Sequence, residues 1–248
     1  MVVFVGCRND LWRSLVLVQV FLICSFYHCG SVHCLSVFPK NGKLEKQQDI
    51  FYNYFAFGSN MASSTMRNLR KLHPIAETAA ILPKYELVFS IPGTPLMEPS
   101  WAAVRPTEDD TSVVHGVLYR LTEEDFVKVC QTEGVPFAYR LKRCQVIPYV
   151  GDGKDAGEKR RLSNKSSPKK VRAITLIDAN DNSNKQSIPP SQSYLNVLLQ
   201  GAKEFGLDKK YVEYLENIEC GKTIIGNGVA ETMLQFAEIS SKNDRDKK

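Results

Sequence analysis

The sequence predicts an α+β domain in which strands come first along the chain and helices gather near its end. Six short segments rich in β-branched or aromatic residues, bounded by Pro, Gly or Asp, occur between residues 51 and 178. Two amphipathic segments with helix caps follow residue 190. This order differs from the regular alternation of parallel βαβ folds. Six strands favour a closed or nearly closed sheet.

Residues 1–46 are set apart from this domain as a hydrophobic targeting or anchor segment. No Asp, Glu, Lys or Arg occurs from Ser14 to Phe38, and the apolar run Leu15–Tyr27 follows Arg8 and Arg13. This layout favours a signal sequence or an uncleaved membrane anchor, and it is the one place where membrane contact is expected. A chloroplast or mitochondrial transit peptide, and a wrongly assigned start with a cytoplasmic product, stay as alternatives.

The predicted domain spans residues 47–239. Its first strand is aromatic, begins at Phe51 and runs into a tight turn at Gly58. The other predicted strands share β-branched or aromatic content and flanking turn residues; they are Tyr85–Ile91, Trp101–Arg105, Val113–Leu121, Tyr139–Val150 and Val171–Asp178.

Three helices are predicted from caps and apolar stripes. Thr122–Cys130 has Thr122 as N-cap and three acidic residues in its first turn, where they suit the helix dipole. A second helix starts with Ser191 as cap and ends at Gly206. A third runs from Asp208 to about Glu219, with apolar residues on one face.

Charge and cysteine content exclude several classes of function. The net charge of +5 is concentrated in residues 151–170, which hold seven Lys or Arg against three Asp or Glu. This stretch lacks interleaved aromatic residues, so it predicts a flexible solvated loop and no nucleic-acid partner. The seven cysteines include no C-x-x-C pair, so no metal site is expected. Residues 240–248 are polar and predict a disordered tail.

Two short segments carry the pattern of a chemical site: Tyr54–Met61, and Gln131–Val135 directly after the acidic helix. At Gly58 the backbone is expected to take a positive φ and to let a ligand approach closely. Successive N–H groups in such a turn bind a carboxylate or a developing oxyanion, and Ser59 and Asn60 supply further donors. Taken alone, Phe57–Asn60 would also fit an ordinary hairpin turn.

With the later Pro189–Tyr194 segment, these two segments resemble the γ-glutamylcyclotransferases in order and spacing. The family's glycine loop is usually Y-x-x-Y-G-S-N and its catalytic segment E-G-V. The resemblance covers roughly residues 51–220 and implies a small mixed β-barrel with flanking helices. It implies a small-molecule γ-glutamyl substrate, release of 5-oxoproline, and no cofactor. The implied substrate-binding residues are Tyr54, Phe55, Ala56, Phe57, Gly58, Ser59, Asn60 and Tyr194.

The resemblance to this family makes Glu133 the candidate general acid/base. The α-amine of a γ-glutamyl compound is held as an ammonium, so a base must take a proton before the nitrogen attacks the γ-carbonyl. The resulting acid can then protonate the leaving amine. Without the glycine loop and the Pro189–Tyr194 segment, Glu133 would be interpreted as a surface carboxylate beyond the end of a helix. Tyr194 has a similar alternative, because it belongs to an apolar helix stripe.

The chain departs from the family pattern at two positions, which leaves the choice of substrate open. Phe57 stands where Tyr is commoner, and Ile174 is nearest to a Tyr that some relatives carry. Tyr139 is a candidate for a replacement polar contact. Two rival functions stay open: a noncatalytic binding protein of the same fold, and a lyase acting on glutathione, although those enzymes usually have Y-G-S-L. Either a monomer or a homodimer is compatible with the sequence.

Overall fold

The structure is a computed structural model that describes residues 50–93, 98–149, 169–180, 186–221 and 223. All of these residues belong to one compact unit, Asp49–Lys248. The predicted N-terminal segment, residues 151–168 of the basic loop and the polar tail lie outside the described residues. Within the described ranges, no helix is both long enough and apolar enough to cross a membrane.

The described residues form seven strands, of which five close into a barrel. They are β1 (Phe51–Ala56), β2 (Ala76–Pro83), β3 (Tyr85–Pro92), β4 (Ser100–Pro106), β5 (Val113–Thr122), β6 (Tyr139–Pro148) and β7 (Val171–Asp178). The barrel has the order β1-β5-β2-β6-β7, while β3 and β4 form a separate antiparallel sheet. The predicted α+β class and mixed barrel are confirmed, with five strands in the barrel where about six were expected.

Strand β2 is the barrel strand that the sequence did not predict. Its first five residues, Ala-Glu-Thr-Ala-Ala, include one β-branched residue and no aromatic one, fewer than is typical of strands. It is a strand because it pairs with β5 over eight residue pairs and meets β6 at Ala80 and Ile81. Long-range pairing therefore overrides local propensity in this segment.

Strand β1 pairs with its two neighbours in the barrel to different extents. Strand β1 pairs with β5 along its whole length. It meets β7 in parallel at one bridge, Tyr54 with Ile174. On the N-terminal side of this bridge, Asn53 Nδ2 donates to the Arg172 carbonyl at 3.0 Å.

Three α-helices flank the barrel, and the caps predicted for the first two, Thr122 and Ser191, are confirmed. They are α1 (Glu123–Thr132), α2 (Gln192–Glu204) and α3 (Lys209–Glu216). The side chains of Thr122, Ser191 and Asp208 accept hydrogen bonds from the first-turn N–H groups of these helices. A 3₁₀ turn (Ser59–Met61) and a π-helix (Ser64–Leu69) follow β1.

Candidate active site

The glycine loop leaves the end of β1 and turns at once into the 3₁₀ turn. Met61 N–H donates to the Gly58 carbonyl at 2.9 Å, and Ala62 N–H donates to that of Ser59 at 3.1 Å. The predicted positive φ at Gly58 is wrong, because its φ is −107°. The position needs glycine for a different reason: an added Cβ would lie 3.1 Å from the hydroxyl oxygen of Tyr194.

The hydroxyl of Tyr194 lies over this loop. Tyr194 is buried at the start of α2, and its ring packs edge-on against Trp101 with ring centroids 4.8 Å apart. Its hydroxyl oxygen accepts a hydrogen bond from Ala102 N–H at 3.2 Å. Burial raises the pKa of Tyr194, so the phenol stays neutral and keeps its own proton to donate.

The end of α1 sets the position of Glu133. Gly134 has a φ of +67°, and the N–H groups of Gly134 and Val135 donate to the carbonyls of Gln131 and Cys130. This is a Schellman motif, in which glycine removes the Cβ penalty of the left-handed conformation. The motif places Glu133 at the C-cap, where its side chain is 13% exposed. Glu133 is therefore not a solvated surface carboxylate.

A hydrogen-bonded network joins Glu133 to the glycine loop. Asn60 Nδ2 donates to Glu133 Oε1 and to the Tyr54 hydroxyl, both at 2.9 Å. The guanidinium of Arg70 donates from Nη2 to the same Glu133 Oε1 and from Nε to Asn60 Oδ1, the latter at 2.8 Å. Both bonds to Glu133 end on Oε1, so Oε2 is the oxygen left to exchange a proton with a ligand.

Arg70 is the site residue that sequence reasoning missed. Its side chain is 11% exposed and reaches the site from the C-cap of the π-helix, where its N–H donates to the Thr65 carbonyl at 3.0 Å. A π-helix is rare and is found frequently at functional sites. The sequence offered no motif for it, and Arg70 follows the glycine loop by only ten residues.

Tyr54 completes the network from β1. Its hydroxyl is fully buried, and burial followed by the negative charge of Glu133 raises its pKa, which keeps the phenol neutral. As a neutral group it accepts from Asn60 and orients the amide that holds Glu133.

A cleft of about 250 Å³, including its open mouth, joins these features. Seven of the predicted site residues line it: Tyr54, Phe57, Gly58, Ser59, Asn60, Glu133 and Tyr194. The other two, Phe55 and Ala56, lie in the core with no exposed surface and are absent from the lining.

Three further residues line the cleft: Ala102, Tyr139 and Leu176. Leu176, rather than Ile174, is the β7 residue that faces it. The Tyr139 hydroxyl donates to the Ala102 carbonyl at 2.7 Å, so it braces β4.

The described residues contain no group of three or more His, Cys, Asp or Glu side chains that could hold a metal ion. Cys130, Cys144 and Cys220 are free, partly buried thiols, as the sequence predicted, and none lines the cleft. Burial raises the pKa of Cys144 to about 12, so its thiol is protonated at neutral pH. The polar chemistry of the cleft therefore lies with one carboxylate, one guanidinium, one amide and neutral hydroxyls.

Comparisons with known proteins found relatives by sequence and by fold. The AIG2-like family model matches residues 113–215, which include Glu133 and Tyr194. A γ-glutamyl cyclotransferase of Claviceps purpurea, gliK, is 32% identical over 155 residues, covering 61% of this chain and 63% of that protein. The γ-glutamylcyclotransferase of Bos taurus is 26% identical over 178 residues, covering 71% of this chain and 83% of that protein.

A second fungal relative, the γ-glutamyl cyclotransferase aclK of Aspergillus oryzae, is 26% identical over 188 residues, covering 71% of this chain and 64% of that protein. The chain thus spans less than two thirds of the length of either fungal relative.

Two solved structures share the fold. One is named a γ-glutamyl cyclotransferase and has a TM-score of 0.56 at 20% identity, covering 77% of this chain and 99% of its own. The other, an uncharacterized protein from Homo sapiens, has a TM-score of 0.55 at 20% identity, covering 76% and 98%. The family model and the curated relatives thus make the chain similar to the γ-glutamylcyclotransferase (AIG2-like) family, and the solved structures share its fold.

Proposed function

We propose that this protein is a γ-glutamylcyclotransferase, which converts a γ-glutamyl amino acid or γ-glutamyl amine into 5-oxoproline and the free amine. The observation that carries the proposal is the bond from Asn60 of the glycine loop to Glu133, within one cleft. A carboxylate and a set of hydrogen-bond donors then face the same ligand. The names of the relatives from Claviceps purpurea and Aspergillus oryzae support the same activity.

In this mechanism Glu133 Oε2 takes a proton from the α-ammonium of the bound substrate. The free amine then attacks the γ-carbonyl carbon of the same molecule and closes a five-membered ring. As the tetrahedral intermediate collapses, the bond to the leaving nitrogen breaks, and Glu133 returns its proton to that nitrogen. The second proton of the attacking nitrogen passes through the same carboxylate to the released amine, which leaves a neutral lactam. Nucleophile and electrophile belong to one molecule, so the enzyme's task is to fold and hold it.

The oxyanion of the tetrahedral intermediate needs preorganised donors. The Tyr194 hydroxyl accepts the Ala102 N–H at 3.2 Å, and its own proton is the donor that it offers to the cleft. A fixed donor in such a position is worth about 10²- to 10³-fold in rate. We assign this role to Tyr194 together with the N–H groups of the glycine loop.

Arg70 and Asn60 hold the Glu133 carboxylate in position for proton transfer. Both donate to Oε1, which fixes the carboxylate plane and leaves Oε2 toward the substrate.

The test is an assay for 5-oxoproline with the full chain and a panel of γ-glutamyl-alanine, γ-glutamyl-cysteine, γ-glutamyl-ε-lysine and glutathione. We expect product from at least one γ-glutamyl compound, and Glu133→Gln is expected to lose at least about 10²-fold in kcat, because proton transfer by a positioned side chain contributes 10²- to 10⁴-fold. Glu124→Gln is the matched control, since Glu124 is exposed on the same helix and pairs with Lys128.

Two outcomes would contradict the proposal. No product from any member of the panel would favour a noncatalytic binding protein of this fold. Product from glutathione alone would favour the related lyase instead.

A further inference from the structure

A buried carboxylate outside the cleft, that of Glu98, is bonded to the residue that caps α2. Glu98 lies just before β4, and its side chain has no exposed surface. Its Oε1 accepts the Ser191 N–H at 2.9 Å, and its Oε2 accepts the Ser191 hydroxyl. A buried carboxylate is costly unless its oxygens are hydrogen-bonded. Here the N-cap of α2 bonds both oxygens, so the two residues form one buried unit.

Ser191 connects Glu98 to Tyr194. The Ser191 hydroxyl donates its proton to Glu98, which leaves its oxygen free to accept other hydrogen bonds. This oxygen accepts the Tyr194 N–H at 3.0 Å and lies 3.0 Å from the Ser193 hydroxyl oxygen. Through Ser191, Glu98 therefore fixes the backbone from which the Tyr194 side chain enters the cleft.

The chain that follows Glu98 holds Tyr194 at two further points. The ring of Trp101 packs edge-on against the Tyr194 ring, with centroids 4.8 Å apart. The N–H of Ala102, four residues after Glu98, donates to the Tyr194 hydroxyl oxygen at 3.2 Å. The backbone, the ring and the hydroxyl of Tyr194 are thus all held by the segment 98–102, either directly or through Ser191.

We propose that Glu98 is a positioning residue for the oxyanion donor Tyr194 and that it acts through the Ser191 cap. Glu98 does not line the cleft, so it acts on the reaction only through Tyr194. The inference rests on the proposed function, in which the Tyr194 hydroxyl stabilises the tetrahedral oxyanion. A misplacement of about 1 Å in a positioned group can cost about 10²-fold in rate.

The experiment is a double-variant cycle on kcat with the γ-glutamyl substrate that the wild type turns over best. Glu98→Ala is expected to lower kcat about 10-fold and to change KM less than about twofold, because the donor shifts while the ground-state contacts stay. Glu98→Gln keeps the size and the acceptor, so its kcat should stay within about threefold of the wild type. In a Tyr194→Phe background, Glu98→Ala should lower kcat less than about twofold, since the hydroxyl that it positions is already absent.

Stability measurements separate positioning from loss of a helix cap. Glu98→Ala should lower the denaturant midpoint equally with and without Tyr194→Phe, whereas its effect on kcat depends on the Tyr194 hydroxyl. The matched control is Asp208→Ala, which removes the carboxylate cap of α3. We expect this control to lower the midpoint and to leave kcat within about twofold of the wild type.

If Glu98→Ala does not fold, Ser191→Ala takes its place in the cycle, because it removes only the hydroxyl that connects Glu98 to the Tyr194 N–H. The same dependence on the Tyr194 hydroxyl is expected. An unchanged kcat, or an equal fractional loss of kcat with and without Tyr194→Phe, would overturn the inference.

A spectroscopic measurement separates this inference from the proposed function. If the wild type forms no 5-oxoproline, the proposed function fails, and NMR of ring-labelled tyrosine then tests the positioning alone. The Tyr194 signals, assigned by their loss in Tyr194→Phe, are expected to shift or broaden in Glu98→Ala and to stay in place in Asp208→Ala. Unchanged Tyr194 signals in Glu98→Ala would overturn the inference whether or not the wild type is active.

Discussion

Glu133 accepts both of its described hydrogen bonds at one carboxylate oxygen. We therefore expect the ion pair between Arg70 and Glu133 to serve the reaction and not the fold alone. Asn60 and Arg70 fix Oε1, while Oε2 stays available. Arg70 also donates to Asn60, so its loss would loosen both the carboxylate and the loop amide that contacts it. At the scale of single residues, we therefore expect Arg70 to act on turnover through Glu133.

Arg70→Ala is expected to lower kcat about 10²-fold while changing KM less than about threefold, because positioning of the base is lost but the substrate contacts stay. Added guanidinium chloride at millimolar concentration should restore part of kcat, whereas urea at the same concentration should not. Arg67→Ala is the control, since Arg67 lies in the same region and forms an exposed pair with Glu77. Equal effects of the two variants, or equal rescue by urea, would contradict the role of Arg70.

Gly58→Ala tests the close approach of the Tyr194 hydroxyl. The added Cβ lies 3.1 Å from that oxygen, so the ring or the loop must shift. Overpacking of this kind costs about 1–3 kcal/mol, which chemical denaturation would measure, and we expect kcat/KM to fall at least about 10-fold. Because Tyr194→Phe removes the crowded oxygen, the double variant should lose less stability than the sum of the two single variants. Strict additivity would contradict this account of the glycine.

At the scale of elements, β5 and α3 meet at a half-buried histidine. The His115 ring stacks on Tyr211 with centroids 4.6 Å apart, and its Nδ1 lies 2.9 Å from the Tyr149 hydroxyl. Burial lowers the pKa of His115, and the charge of Asp208 opposes this in part. The folded state therefore binds the proton less tightly than the unfolded state, in which the pKa is about 6.5.

Because the unfolded chain takes up more protons, stability is expected to fall as the pH drops through about 6.5. His115→Gln should lose less stability than the wild type between pH 7.5 and pH 5.5, as followed by denaturant midpoints. His73→Gln, which replaces an exposed histidine, is the control. A wild-type midpoint that moves no more than that of His115→Gln would contradict the assigned sign.

The helices and strands also show which features the sequence could predict and why it could not predict the others. Helix caps such as Thr122 and Ser191 are local features, and the structure has them as predicted. Strand β2 was not predicted because its alanine-rich part is a strand only through its pairing with β5. The sequence could not predict the role of Arg70 or the reason for glycine at position 58, because both depend on contacts between residues far apart in the chain. Arg70 and Glu133, for example, are 63 residues apart.

At the scale of the whole molecule, the barrel brings together parts that are distant in sequence. Strand β1 supplies the glycine loop, the end of α1 supplies Glu133, and the start of α2 supplies Tyr194. The fold and the curated relatives thus make the chain similar to the γ-glutamylcyclotransferases.

The most direct test of the central claim is to identify the acid that the wild type releases from its best γ-glutamyl substrate, and to time that release in Glu133→Gln. Intramolecular attack predicts one 5-oxoproline for each free amine, no glutamate, and a release at least about 10²-fold slower in Glu133→Gln. Glutamate in place of 5-oxoproline, or an unchanged rate in Glu133→Gln, would contradict the claim.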